Sequence, residues 1–120
     1  MRTQPFGTRA GRLYEALLDV PFYESRTVTV LFPRDSPRHP KVWSDGPTES
    51  PHRYGERLLC MWDPDDPSEC RWVFEDGLLA LFGMTVAHLF REAWWRETGE
   101  WLGPQAWHGP NQEAALSEEA

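Results

Sequence analysis

The sequence predicts an α+β domain in which a small antiparallel β-meander precedes C-terminal helices. Three observations predict it. Arg26-Thr-Val-Thr-Val-Leu-Phe32 is dominated by β-branched residues and is stopped by Pro33. Upstream, Tyr14, Ala16, Leu18 and Val20 alternate along the chain. Between Thr85 and Thr98, apolar residues recur at helical spacing before Gly99.

Residues 1–12 read as a flexible lead. Residues 13–20 fit two elements: Leu13, Leu17 and Leu18 suit a short helix, and the alternation suits a strand. With Pro21 and Glu24-Ser25 as a turn, a strand antiparallel to 26–32 is the preferred reading. A short third strand around Lys41–Trp43 completes the meander, closed by Asp45-Gly46-Pro47. Residues 46–51 and 63–69 read as loops, the second acidic and twice broken by proline. Asp76 is placed to cap a short helix through Phe82 that is interrupted at Gly83. Thr85 then caps a longer helix, and Gly99 ends it. On that helix Val86, Leu89, Phe90, Ala93, Trp94 and Glu97 form one stripe, predicted to face the sheet. Trp95 lies on the opposite side, covered either by the tail bearing Trp101, Trp107 and His108 or by a partner. Trp43 and Trp72 are predicted in the core. From residue 109 the chain is polar and acidic, a segment expected to fray.

The chain has 120 residues, 40% hydrophobic and 13% aromatic, enough for one domain, placed at 13–108, with one core. Nineteen acidic and twelve basic side chains give a formal charge of -7, which argues against nucleic acid as a partner. No apolar run reaches the roughly 20 residues of a membrane-spanning helix. No apolar segment of signal-peptide type follows Met1–Gly11. The expectation is a soluble, cytoplasmic protein. Cys60 and Cys70 are too few for a disulfide framework, and no paired C-x-x-C spacing accompanies His52, His88 or His108, so no metal site is predicted.

Phe32-Pro33, Ser36-Pro37, Pro40-Lys41-Val42, Ser50-Pro51-His52-Arg53, Gly55, Leu59-Cys60-Met61 and Trp72 follow one another in an order that resembles the catalytic half of ubiquitin-conjugating enzymes. The closing stretch Glu92-Ala-Trp-Trp-Arg-Glu-Thr-Gly-Glu-Trp-Leu-Gly103, with Ala106-Trp-His108, is similar to the conjugating proteins of CBASS-type antiphage operons. The resemblance implies a UBC-like fold and a bacterial thioester carrier. Cys60 would accept a ubiquitin-like or related acyl group from an activating enzyme and pass it to an amine, on an operon partner for example. No cofactor is implied, because the activating enzyme consumes the ATP. Three departures stand out. The family's first helix is absent or reduced to residues 1–12. Arg53 and Tyr54 replace the motif proline and the asparagine that stabilises an oxyanion. The spacing from histidine to cysteine is shorter.

Each candidate residue has a plainer alternative. Cys60 is either a reachable nucleophile or a buried structural cysteine among Leu58, Leu59, Met61 and Trp62. His52 either orients the active-site loop or packs within it, and Arg53 either stabilises an oxyanion or is a solvated cation. Asp63, Asp65 and Asp66 either receive a lysine or form a solvated turn. Glu92 and Glu97 read as helix-face charges. Candidate partner contacts are Asp63, Asp65, Trp95 and Trp107. Two functions compete with the carrier. One is a non-catalytic UBC-like binding module. The other is a protein-interaction domain using the Trp-rich helix, which predicts Trp95 exposed and Cys60 buried.

Overall fold

The computed structural model describes residues 3–7, 10–54, 58–62 and 65–103, with residues 3–7 and Tyr54 as backbone only. Six strands form one sheet in the order β1-β2-β3-β4-β6-β5. They are β1 (Thr3–Gly7), β2 (Gly11–Leu18), β3 (Arg26–Pro33), β4 (Lys41–Ser44), β5 (Arg53–Tyr54) and β6 (Leu58–Leu59). One helix, α1 (Gly77–Thr98), follows. The class is α+β.

The antiparallel pairing of β2 with β3 decides the ambiguity over residues 13–20 in favour of a strand. Ala16 stands opposite Val28 and Tyr14 opposite Val30, and Val30 faces Val42 of β4. Period-two alternation therefore puts Ala16, Leu18, Val28, Val30 and Val42 on one buried face. Leu81, Phe82 and Leu89 of α1 join the same core, with Leu59 and Trp72. Trp72 is 2% exposed, and its indole N–H donates to the Gly77 carbonyl at 2.7 Å, tying the incoming segment to the first turn of α1. Trp43 departs from expectation: it is only half-buried, because it alternates with the buried Val42 and Ser44 and lies across from Thr29.

Several expectations are corrected. Residues 3–7, assigned to a flexible lead, pair as β1 along β2. Residues 53–54 and 58–59, for which the sequence carried no assignment, pair as β5 and β6. Helix α1 is continuous through Gly83, and Thr85 does not cap it: its hydroxyl donates to the Leu81 carbonyl one turn back. Asp76 precedes the helix, but its carboxylate accepts from the Val73 N–H and makes no cap. Gly99, in contrast, ends α1 as expected, with φ 81° and its N–H donating to the Trp95 carbonyl.

A further correction concerns the buried face of α1. It carries Leu81, Phe82, Thr85, His88, Leu89 and Glu92, a set rotated from the expected stripe. Val86 and Phe90 pack only partly against the core, and Glu97 is exposed, accepting a 2.7 Å hydrogen bond from the Tyr23 hydroxyl. That bond raises the Tyr23 pKa.

Gly83 survives inside the helix because flanking residues anchor both sides. A Cβ placed on it meets nothing within 4 Å. Gly83→Ala is therefore expected to stabilise the fold by about 1 kcal/mol, read as a higher urea midpoint with an unchanged slope. An unchanged or lower midpoint would contradict the open space seen at that position.

Candidate functional site

Strands β5 and β6 hold the candidate residues at the far edge of the sheet from β1. Their pairing is Arg53 with Leu59 and Tyr54 with Leu58, and β6 meets β4 through Leu58 and Trp43. His52 precedes this ladder and Cys60 follows it. The Cys60 N–H donates to the His52 carbonyl at 3.0 Å, so the candidate histidine and cysteine are neighbours in space. The His52 N–H in turn donates to Ser50 Oγ at 3.0 Å, closing a local turn after Pro51.

Cys60 and His52 are each 1% exposed. The imidazole of His52 packs edge-on against Trp101, ring centroids 4.3 Å apart, and His88 of α1 contacts the same indole at 5.4 Å. Trp101 follows the Gly99 stop, so the chain leaving α1 turns back over the His52 loop.

Arg53 belongs to the interior. Its Nε and Nη2 donate to Glu92 Oε2 and Oε1 at 2.8 and 2.6 Å, a bidentate pair with both side chains shielded from water. Those two donors are committed to Glu92, and the side chain is buried rather than a solvated cation. Arg96 adds a weaker contact, 3.8 Å from Glu92 Oε1, while donating to the Glu49 carbonyl at 2.9 Å. His88 Nε2 stands 3.3 Å from Glu92 Oε2, at ion-pair distance but outside hydrogen-bonding geometry. Burial pushes the Glu92 carboxyl up, but the Arg53 hydrogen bonds and the His88 contact outweigh it and hold the pKa at about 2. Glu92 is thus an ionised carboxylate inside the protein.

Glu92, His88 and Trp101 are the residues that sequence reading missed. A carboxylate one helical turn after a histidine and one turn before an arginine was the available signal. It pointed inward only if a cation arrived from elsewhere, and Arg53 is 39 residues away.

The remaining candidates are dispersed. Asp65 is exposed and Asp66 half-buried; the Asp66 carbonyl accepts from Arg71 Nε at 2.9 Å. Trp95 is half-buried on α1. Cys70 is an exposed thiol in a 3₁₀ turn at Ser68–Cys70. Asp63 and Trp107 lie outside the described residues. Among the described residues, no cluster of three or more His, Cys, Asp or Glu could hold a metal ion, and no helix is long and apolar enough to cross a membrane. A cleft of about 790 Å³ is lined by Tyr14, Phe32 and Trp72 among others, and neither Cys60 nor His52 lines it. A smaller groove of about 160 Å³ borders the cysteine segment through Leu58, Leu59, Met61 and Trp62.

A family model described as Type II CBASS E2 protein matches residues 3–109. No curated protein and no solved structure matches the chain significantly.

Proposed function

The chain belongs to the Type II CBASS E2 protein family, and on that premise we propose that it is a ubiquitin-conjugating-like carrier whose Cys60 holds an acyl group as a thioester. The observation that carries this reading is the bond from the Cys60 N–H to the His52 carbonyl, which sets the motif histidine and the cysteine side by side. A meander, an extended cysteine segment and a following helix also suit a UBC-like fold. In the first step the Cys60 thiolate attacks the acyl carbon of a thioester on an activating enzyme. A new C–S bond forms as the bond to the donor sulfur breaks, and the donor leaves as a thiolate. In the second step an amine attacks the same carbon, the Cys60 sulfur leaves, and the amine proton passes to solvent. The amine belongs to an operon partner. His52 orients the loop, and Asp65 and Asp63 receive the amine-bearing segment. Trp95 and Trp107 contact partner proteins.

A second reading has its own observation. Cys60 is 1% exposed, and Tyr54 replaces the family asparagine, which favours a binding module that carries nothing. The carrier needs the Cys60 segment to open when a partner docks.

Full-length protein incubated with the activating enzyme and ubiquitin-like candidate of its operon, with ATP, separates the two. The carrier reading expects an intact-mass adduct on Cys60 that thiols remove and that Cys60→Ala abolishes, while Cys70→Ala leaves it unchanged. No adduct, together with iodoacetamide labelling of Cys70 but not of Cys60 in the native protein, would establish the binding module.

A further inference from the structure

Arg53 and Glu92 form a buried ion pair, with side chains 2% and 0% exposed, and it joins the sheet-edge strands β5 and β6 to helix α1. Helix α1 is 22 residues long and supplies Glu92. Among the described residues β5 and β6 pair through Arg53 with Leu59 and Tyr54 with Leu58, and β6 pairs with β4 through Leu58 and Trp43. At a sheet edge the register is set by side chains tied to the core as well as by the backbone ladder. Arg53 stands one residue after His52 and directly opposite Leu59, the residue before Cys60. A side chain that fixes Arg53 therefore fixes Cys60 by two routes, through the Leu59 pairing and through the His52 carbonyl that accepts from the Cys60 N–H at 3.0 Å.

We propose that Glu92 is the positioning residue of the Cys60 thiol: its two oxygens grip Arg53 at 2.8 and 2.6 Å and thereby set the register of the β5–β6 edge on which Cys60 is presented. The planar guanidinium explains why an arginine is used. A bidentate fork fixes direction as well as distance, which a lysine ammonium does not. Arg96 strengthens the arrangement from the same helix by holding the Glu49 carbonyl, three residues before His52. Helix α1 thus grips the loop at two points, 49 and 53. The assignment of Cys60 as the reacting group rests on the carrier reading; the mechanical link between Glu92 and the Cys60 segment does not.

The alternative is that the pair only stabilises the fold. Arg53→Met combined with Glu92→Leu separates the two ideas, because an apolar pair can replace a buried ion pair with little loss of stability but cannot reproduce a directional fork. Two rates are read in the full-length protein: hydrogen exchange of the Cys60 amide, and iodoacetamide alkylation of Cys60 from pH 6 to 9 with Cys70 as internal reference. With melting temperature near that of the native protein, the Cys60 amide is expected to exchange about ten-fold faster, while amides around Leu89 are unchanged. Alkylation of Cys60, and not of Cys70, should shift with it. Glu92→Gln, which keeps the shape and one acceptor, should fall between the two. If the double variant folds with a native exchange rate at Cys60, the positioning role is wrong. If it does not fold, Glu92→Gln carries the test on the same amide. Should native Cys60 resist alkylation altogether, the amide exchange alone decides the role of Glu92, and the adduct assay with the activating enzyme decides the carrier reading.

Discussion

Arg53→Ala should cost about 3–5 kcal/mol of folding stability, the range for removing one partner of a buried ion pair. Glu92 is 0% exposed and receives two of its hydrogen bonds from Arg53. Without the guanidinium its charge has the 3.8 Å contact to Arg96 and the 3.3 Å approach of His88, neither of which is a hydrogen bond. The protein must then expose the carboxylate, protonate it, or admit water. Arg53→Lys should recover only part of the loss, because one ammonium cannot span both oxygens. Urea denaturation at pH 7 reads the effect as a fall in midpoint. A change below about 1 kcal/mol, the scale of an exposed ion pair, would mean that water reaches the pair in solution.

Acid should remove the same stabilisation from the other side. The Glu92 pKa is lowered from 4.5 to about 2 in the folded protein. A carboxyl whose folded pKa is depressed contributes stability that is fully present above its unfolded value and disappears as pH falls through the folded one. The window is therefore about pH 5 down to pH 2. A depression of that size corresponds to about 3 kcal/mol at neutral pH. Other carboxyls titrate over the same range, so the measurement is a difference: stability of the native protein minus that of Glu92→Gln, from pH 7 to pH 2. That difference should be constant above pH 5 and shrink steadily toward pH 2. A difference independent of pH would show that the Glu92 pKa is the same folded and unfolded, and one that fell as pH rose above about 5 would show a carboxyl that stays protonated in the folded protein.

Both effects originate in a residue that helical periodicity assigned to the surface. The stripe Val86, Leu89, Phe90, Ala93, Trp94 and Glu97 is more apolar than the face that is buried, which includes His88 and Glu92. Periodicity ranks faces by hydrophobicity, and that ranking fails when a charged residue has a buried counterpart. Gly83 misled for a related reason. A glycine costs about 1 kcal/mol within a helix, but Leu81 and Phe82 before it and Thr85, His88 and Leu89 after it are anchored in the core, and their burial outweighs that local cost. Asp76 and Thr85, both suitable caps by residue type, satisfy other backbone groups.

The site was legible in part. The Ser50-Pro51-His52 turn and the Leu59-Cys60-Met61 segment were found from order and residue type, and the bond from Cys60 to His52 places them together. What Arg53 contacts was not legible, since a cation in a proline-bounded loop is ordinarily solvated. The packing of Trp101 against His52 and His88 was not legible either, since it depends on the chain turning back after Gly99.

By itself the sequence determined strands around 26–32 and 41–43, favoured one at 13–20, and determined the stop at Gly99, the core position of Trp72 and the family. Each depends on short-range chemistry: β-branched alternation, proline and glycine backbone limits, or the linear order of motif residues. Only the tertiary structure decided which face of α1 is buried and what holds the Cys60 edge in place. Those depend on a carboxylate and a guanidinium 39 residues apart, each costly to bury alone and tolerable only together.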